Sequence, residues 1–263
     1  MSKYKSQIKQ VPHSKGAALE FIHRFVEEND VKGKTVIDVS AGSGYVANLW
    51  HNAGAVVKAF DMYPDIFKSD SLTCQPIDLN QKLPIEANSA DYVLLMETIE
   101  HIPNQTSLLQ ELSRILKPNG ILIVTKPNNS SLNGRLGNLW VEAERSDMFL
   151  SNEASVIGYD DSHIYNGRVY LCTAQRLRTL AGLAGLKLQK VHANQLSVSS
   201  LISYLFLGVF FHLRSFRTLK RMIRKTSSTQ EKTIIQEQHE LNTNQTLLLH
   251  KHLCVTFQKT EKL

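Results

Sequence analysis

Residues 36–44 read Val-Ile-Asp-Val-Ser-Ala-Gly-Ser-Gly: an apolar run, an acid, and two glycines one residue apart. A buried strand that feeds such a turn and then a helix lets the backbone approach a bound nucleotide where any Cβ would collide. Gly42 and Gly44 make the turn. Tyr45, Val46, Leu49 and Trp50 then recur at helical spacing, and Gly54 stops the helix. The stretch therefore predicts an open α/β sheet with a cofactor at its glycine turn.

Taken alone, the motif is shared by two cofactors. With Ala47 it satisfies the Gly-x-Gly-x-x-Gly/Ala pattern of nicotinamide enzymes, and Asp61 lies at a suitable distance to hold ribose hydroxyls. Asp38 favours the other reading. It stands four residues before Gly42, where a carboxylate can face a cationic amino-acid moiety, and a dinucleotide turn needs no anion beside a pyrophosphate.

Further blocks follow in order: Phe60-Asp61, Pro76-Ile77-Asp78-Leu79, Leu83-Pro84, Ala90-Asp91-Tyr92-Val93, Glu100-His101-Ile102, Leu116-Lys117-Pro118-Asn119-Gly120 and Pro127-Asn128. With Asp38–Gly44 this set, spread over roughly residues 30–195, resembles the class I S-adenosylmethionine-dependent methyltransferases. The resemblance is to the broad group with a Glu-His pair after the fourth strand. It implies a doubly wound, mostly parallel, seven-stranded Rossmann-like sheet with helices on both faces, S-adenosylmethionine as cofactor and S-adenosylhomocysteine as product. It also implies that Asp38, Ser40, Gly42 and Gly44 hold the cofactor's amino-acid end, Asp61 and Met62 its ribose, and Asp78 and Leu79 its adenine, with Met96 packed nearby. Each acid has a plainer alternative: Asp38 as a strand end, Asp61 and Asp78 as loop acids. The chain departs from the family pattern at Ser40, where a glycine is expected; a serine adds a Cβ and hydroxyl at the tightest point of the turn, so either the backbone there tolerates φ below zero or cofactor binding suffers.

Methyl transfer asks mainly for placement and exclusion of water. A base is needed when the acceptor is a hydroxyl. His101, just beyond the fourth strand, and His163, in Asp160-Asp161-Ser162-His163, are the candidates. The alternatives are a polar pair at a helix start and a loop residue orienting the cover. No metal is expected, and Asp160, Asp161 and His163 read as a capping cluster. The implied reaction is O-methylation of a small molecule, a sugar or a lipid-linked intermediate. An NAD(P)-dependent oxidoreductase and a non-catalytic cofactor-binding homologue stand as the other readings.

The rest of the chain sets the context. The 263 residues can bury a full core, and three scattered cysteines suggest neither a disulfide framework nor a zinc cluster, which points to a reducing cytoplasm. Residues 1–198 hold 20 Lys+Arg and 20 Asp+Glu, while 199–263 hold 10 and 4, so the net charge of +6 belongs to the last quarter. A nucleic-acid partner is not expected for an electrically balanced catalytic unit. Helices are expected from Ser14 to about Asn29, near 105–117 and from Thr173 to Gly185. Strands are expected near 34–39, 55–60, 73–77 and 91–96, then at Ile121–Thr125, Leu186–Val191 and Leu247–Phe257. The methyltransferase unit would comprise 1–195 plus 247–263, with 127–170 as a lid over the carboxyl ends of the strands. Residues 196–246 form an insertion: an apolar piece, Leu196–Leu213, a basic piece to Lys225, and a polar, partly disordered piece. Residues 196–225 could meet the inner face of the membrane peripherally, pack on the core, or form a homodimer contact.

Overall fold

The computed structural model describes residues 13–142 and 167–260. Seven strands form one sheet in the order β3-β2-β1-β4-β5-β7-β6. They are β1 Thr35–Asp38, β2 Val56–Asp61, β3 Cys74–Pro76, β4 Ala90–Met96, β5 Leu116–Pro127, β6 Leu186–Val191 and β7 His252–Lys259. β1 pairs with β2 and β4 in parallel, as do β2 with β3 and β4 with β5, whereas β7 runs antiparallel to both β5 and β6. A strand flanked and covered on all sides needs an unbroken apolar run, and Val36 and Ile37 of β1 are fully buried.

Two helical layers enclose the sheet. On one face, Phe21, Ile22, Phe25 and Val26 of α1 (His13–Glu28) pack with Trp50 of α2 (Tyr45–Asn52) onto Val36, Leu94 and Ile123. On the other, Leu108, Leu109, Leu112 and Ile115 of α3 (Gln105–Ile115) pack with Leu177 and Ala181 of α5 (Ala174–Leu183) onto Ile37, Val93, Leu95, Leu122 and Val124. Between these two helices in sequence lies α4 (Leu132–Val141). Strand order reverses between β1 and β4, and the crevice at their carboxyl ends is where ligands bind in sheets of this kind.

Several local expectations are corrected. α1 already includes His13, one residue before the expected start at Ser14. β5 starts at Leu116, directly after α3. Pro118-Asn119-Gly120 occupies an irregularity between the pairs Ala90↔Leu116 and Tyr92↔Ile121, where Asn119 takes φ 62°. The closing strand is His252–Lys259, because residues 245–249 form the short helix α8 (Gln245–Leu249). The Asn244 side chain caps α8 by accepting from the Leu247 amide at 2.9 Å, and Leu247 and Leu248 are both fully buried.

The stretch 196–246 is helical rather than partly disordered. One helix, α6 (Val198–Lys225), runs through both the apolar and the basic pieces, and α7 (Thr229–Thr243) follows, capped by Ser228.

Candidate active site

The site is built around the turn that follows β1. Gly42 takes φ 51° and Gly44 φ 85°, values that a side chain resists. At Gly44 a Cβ would also lie 2.9 Å from the Phe67 ring, whereas nothing lies within 4 Å of the Cβ position of Gly42. The turn is held from β2: Asp61 Oδ2 accepts from the Gly42 amide at 2.7 Å, and Oδ1 accepts from the Tyr63 amide at 2.8 Å. Asp61 is thus a turn-holding residue in its own right.

Ser40 does not take a positive φ. Its hydroxyl oxygen accepts from the Met96 amide at 2.8 Å, joining the carboxyl end of β1 to that of β4. The departure from the family glycine is therefore a built contact.

Asp38 is wholly buried. Its Oδ1 accepts from the Ser40 amide at 3.1 Å, and its Oδ2 has no hydrogen-bond partner among the described residues. Burial pushes its carboxyl up to about 7, against the Ser40 amide and with a contribution from the Asp61 charge. A buried carboxylate with a spare oxygen beside an open glycine turn suits the cationic amino-acid end of S-adenosylmethionine.

The remaining sequence candidates stand at or just beyond the carboxyl ends of β2, β3 and β4. Met62 is half exposed beside Asp61. Asp78 closes an Asx turn, its Oδ1 accepting from the Asn80 amide at 2.9 Å and from the Asn80 side chain at 3.0 Å, while Leu79 is buried in the core. Met96 ends β4, and its sulfur lies 3.6 Å from the Thr125 hydroxyl.

His101 sits in the short turn of helix Ile99–His101 that follows β4. Its Nδ1 lies 2.7 Å from the Gly167 carbonyl. A carbonyl only accepts, so Nδ1 carries the proton and Nε2 is the basic nitrogen of the neutral ring. Burial lowers the ring's pKa; Gly167 opposes that, Arg168 adds to it, and Glu97 opposes it. Segment 167–172 is fastened over this turn, since the Tyr170 amide donates to the Glu100 carbonyl and Gln105 Nε2 donates to both Ile99 and Tyr170 carbonyls. His163, and with it Asp160 and Asp161, lies outside the described residues.

Three residues at this edge escaped the sequence reading. Glu97 follows β4 with φ 50°, a conformation costly for a side-chain-bearing residue and often found at functional sites. Its carboxylate lies 3.5 Å from His252 Nε2 on β7. Burial would raise its pKa, but His252, Thr125 and Lys126 together hold it below the usual range. Lys126 is fully buried, with its ammonium donating to the Pro127 carbonyl at 2.6 Å. A further buried group, Asn128, ties the end of β5 to the returning chain by donating to the Leu247 and His250 carbonyls.

Comparison with known proteins agrees with this fold. The family described as "Methyltransferase domain" matches residues 10–191. The ubiquinone biosynthesis O-methyltransferase of Haemophilus ducreyi is 29% identical over 126 residues, which are 43% of this chain and 53% of that protein. The chain spans about half the length of the curated relatives it matches. Among solved structures, the YcgJ protein of Bacillus subtilis superposes with a TM-score of 0.51 at 14% identity, covering 93% of this chain and 100% of that one. An S-adenosylmethionine-dependent methyltransferase from Mesorhizobium loti does so at 0.50 and 12%, covering 93% and 97%. At such identities the likeness is one of fold. The dinucleotide alternative gains no support from any of these.

Proposed function

The chain belongs to the methyltransferase-domain family of S-adenosylmethionine-dependent proteins, and from that premise we propose that it methylates a hydroxyl of a small molecule, a sugar or a lipid-linked intermediate. When bound, S-adenosylmethionine supplies a methyl group already activated by its sulfonium. Asp38, Ser40, Gly42 and Gly44 hold its amino-acid end, Asp61 and Met62 its ribose, and Asp78 and Leu79 its adenine, with Met96 beside them. The spare oxygen of Asp38 gives the cation a partner in a place where an unpaired charge is costly, so the carboxyl ionises when the cation arrives.

The observation that carries the hydroxyl acceptor is the His101–Gly167 contact. It fixes the tautomer whose Nε2 can take a proton, and the lowered pKa keeps the ring neutral near pH 7. The Haemophilus relative, named an O-methyltransferase, points the same way. Glu97 and Lys126 line the same strand ends and are candidates for orienting the acceptor.

The test has two parts. Titration calorimetry should show binding of S-adenosylhomocysteine and none of NADH; the reverse would overturn the cofactor assignment. Turnover with labelled methyl donor against a panel of phenols, sugars and polyprenyl-linked alcohols should then label a hydroxyl. Binding without turnover on any acceptor class would favour the non-catalytic homologue.

A further inference from the structure

α6 is built inside out. The side turned toward the protein is largely small and polar, with Phe211 among its residues. Ser200 is fully buried and its hydroxyl accepts from the Asn133 amide at 3.2 Å. Gly208 is buried as well, and Ser215 Oγ bonds to His239 at 3.0 Å and accepts from Asn242 at 2.9 Å. Arg135 stacks its guanidinium 4.8 Å from the Phe211 ring centre while donating to Asn242 at 2.9 Å. The side turned away carries the apolar bulk: Leu205, Phe206, Val209 and Phe210 are 74%, 82%, 76% and 72% exposed. A helix on the surface of an ordinary soluble domain buries its apolar stripe, so this polarity demands a covering.

The outward stripe also changes character along its length. Ile202, Phe206, Phe210 and Leu213 follow one another at steps of three or four with Val209 beside them, and Arg217, Lys220 and Arg224 continue the same series with Arg221 beside them. At 1.5 Å per residue the apolar part is about 16 Å long and the cationic part about 10 Å. On the neighbouring α4, Leu139 and Trp140 are exposed too.

We propose that this face of α6 docks on an anionic lipid bilayer, with the apolar stripe entering the headgroup and acyl boundary and Arg217, Lys220, Arg221 and Arg224 meeting lipid phosphates. Charge decides between lipid and a second copy of the chain. Two copies paired antiparallel on this face could match their apolar stripes but would leave the four cations without a partner; an anionic bilayer accommodates both parts. Length and composition alone would let α6 cross a bilayer, with a mean hydropathy of 1.3 in its most apolar window. The fold argues for docking on one side. Leu196 bridges to His250, the Ser197 amide donates to the Leu249 carbonyl, α7 packs back along α6, and the strands on either side of this region, β6 and β7, pair with each other. Because α6 starts where β7 begins, beside the carboxyl ends of β4 and β5, docking brings the candidate active site next to the lipid.

Vesicle co-sedimentation of the full chain tests this without cofactor or acceptor, so its outcome is independent of the methyl-transfer reading. Vesicles containing phosphatidylglycerol should pellet the protein at low salt, pure phosphatidylcholine should not, and salt should weaken the binding. Replacing Arg217, Lys220, Arg221 and Arg224 by Gln should abolish it. Phe206→Ser with Phe210→Ser, both on exposed positions, should weaken it roughly tenfold or more, given the apolar area withdrawn from lipid. Light scattering without vesicles supplies the opposing arm. A protein that stays in the supernatant with anionic vesicles, that binds both lipids equally, or that forms a dimer abolished by the Phe206→Ser, Phe210→Ser pair overturns the proposal.

Discussion

The Ser40 hydroxyl accepts the Met96 amide at 2.8 Å and so fastens β1 to β4 at the point where the sheet changes winding direction. A glycine there would supply freedom that the backbone does not use, since Ser40 does not take a positive φ. Restoring the family glycine is therefore expected to cost rather than help. Ser40→Gly and Ser40→Ala should both lower stability by roughly 1 kcal/mol through the unpaired amide, and both should weaken S-adenosylhomocysteine binding. Thermal melts and calorimetry check this; a glycine variant that binds more tightly would show the Met96 contact to be incidental.

Asp38 makes cofactor binding depend on pH. Its folded-state value near 7 lies above the ordinary carboxylate range, so the unliganded fold loses stability as pH rises from about 4 to 7. A cationic ligand binds the ionised form. Affinity for S-adenosylhomocysteine should accordingly rise with pH up to about 7 and then level, with proton release measurable in buffers of different ionisation heat. Asp38→Asn should flatten that profile and weaken binding, while making the unliganded protein more stable at pH 8.

The parts of the molecule legible in the sequence are those whose signal is local. The run Val36–Gly44 announces a buried parallel strand and its turn, and the Thr173 cap and Gly185 bracket α5, because propensity and geometry agree within a few residues. Glu97 and His252 meet only because β7 returns beside β5, a pairing between distant segments that no spacing reveals. The continuity of α6 was hidden for another reason. The change from apolar to basic residues at Arg214 reads as a boundary, yet the three-four stepping of the outward stripe passes straight through it.

Asp61 does two tasks that substitutions can separate. Its carboxylate accepts from the amides of Gly42 and Tyr63, and the ribose reading adds a third demand. Asp61→Ala should reduce both stability and cofactor affinity, each by roughly 1–3 kcal/mol, the range for buried groups left unpaired. Asp61→Asn keeps one acceptor oxygen and should recover most of the stability but less of the affinity. Equal recovery of both would mean that Asp61 shapes the turn and touches nothing else.

Glu97 should govern behaviour in acid. Its folded-state pKa lies below the ordinary value, so the stability it contributes is present above about pH 4.5 and is lost as pH falls through the lowered value. Glu97→Gln should lower stability at pH 7 by roughly 1–3 kcal/mol, read from thermal melts, and the difference between variant and parent should shrink toward pH 3. A difference that stays constant with pH would remove His252 and Lys126 from the account.

The two histidines are separated by what the structure fixes around one of them. His101 presents Nε2 as its basic nitrogen, with a pKa below the ordinary 6.5. If it takes the acceptor's proton, kcat should fall tenfold per unit as pH drops below that lowered pKa, and the limb should vanish in His101→Gln together with about 10²–10⁴-fold of the rate. Cofactor affinity should remain unchanged, because His101 serves the acceptor. His163→Ala, on a residue outside the described part of the chain, should then keep the acid limb and most of the rate. Large loss in His163→Ala with little in His101→Gln would transfer the role. Small, equal losses in both would leave placement of the acceptor as the source of the rate, with the Gly167 contact serving only to close segment 167–172 over the turn at Ile99–His101.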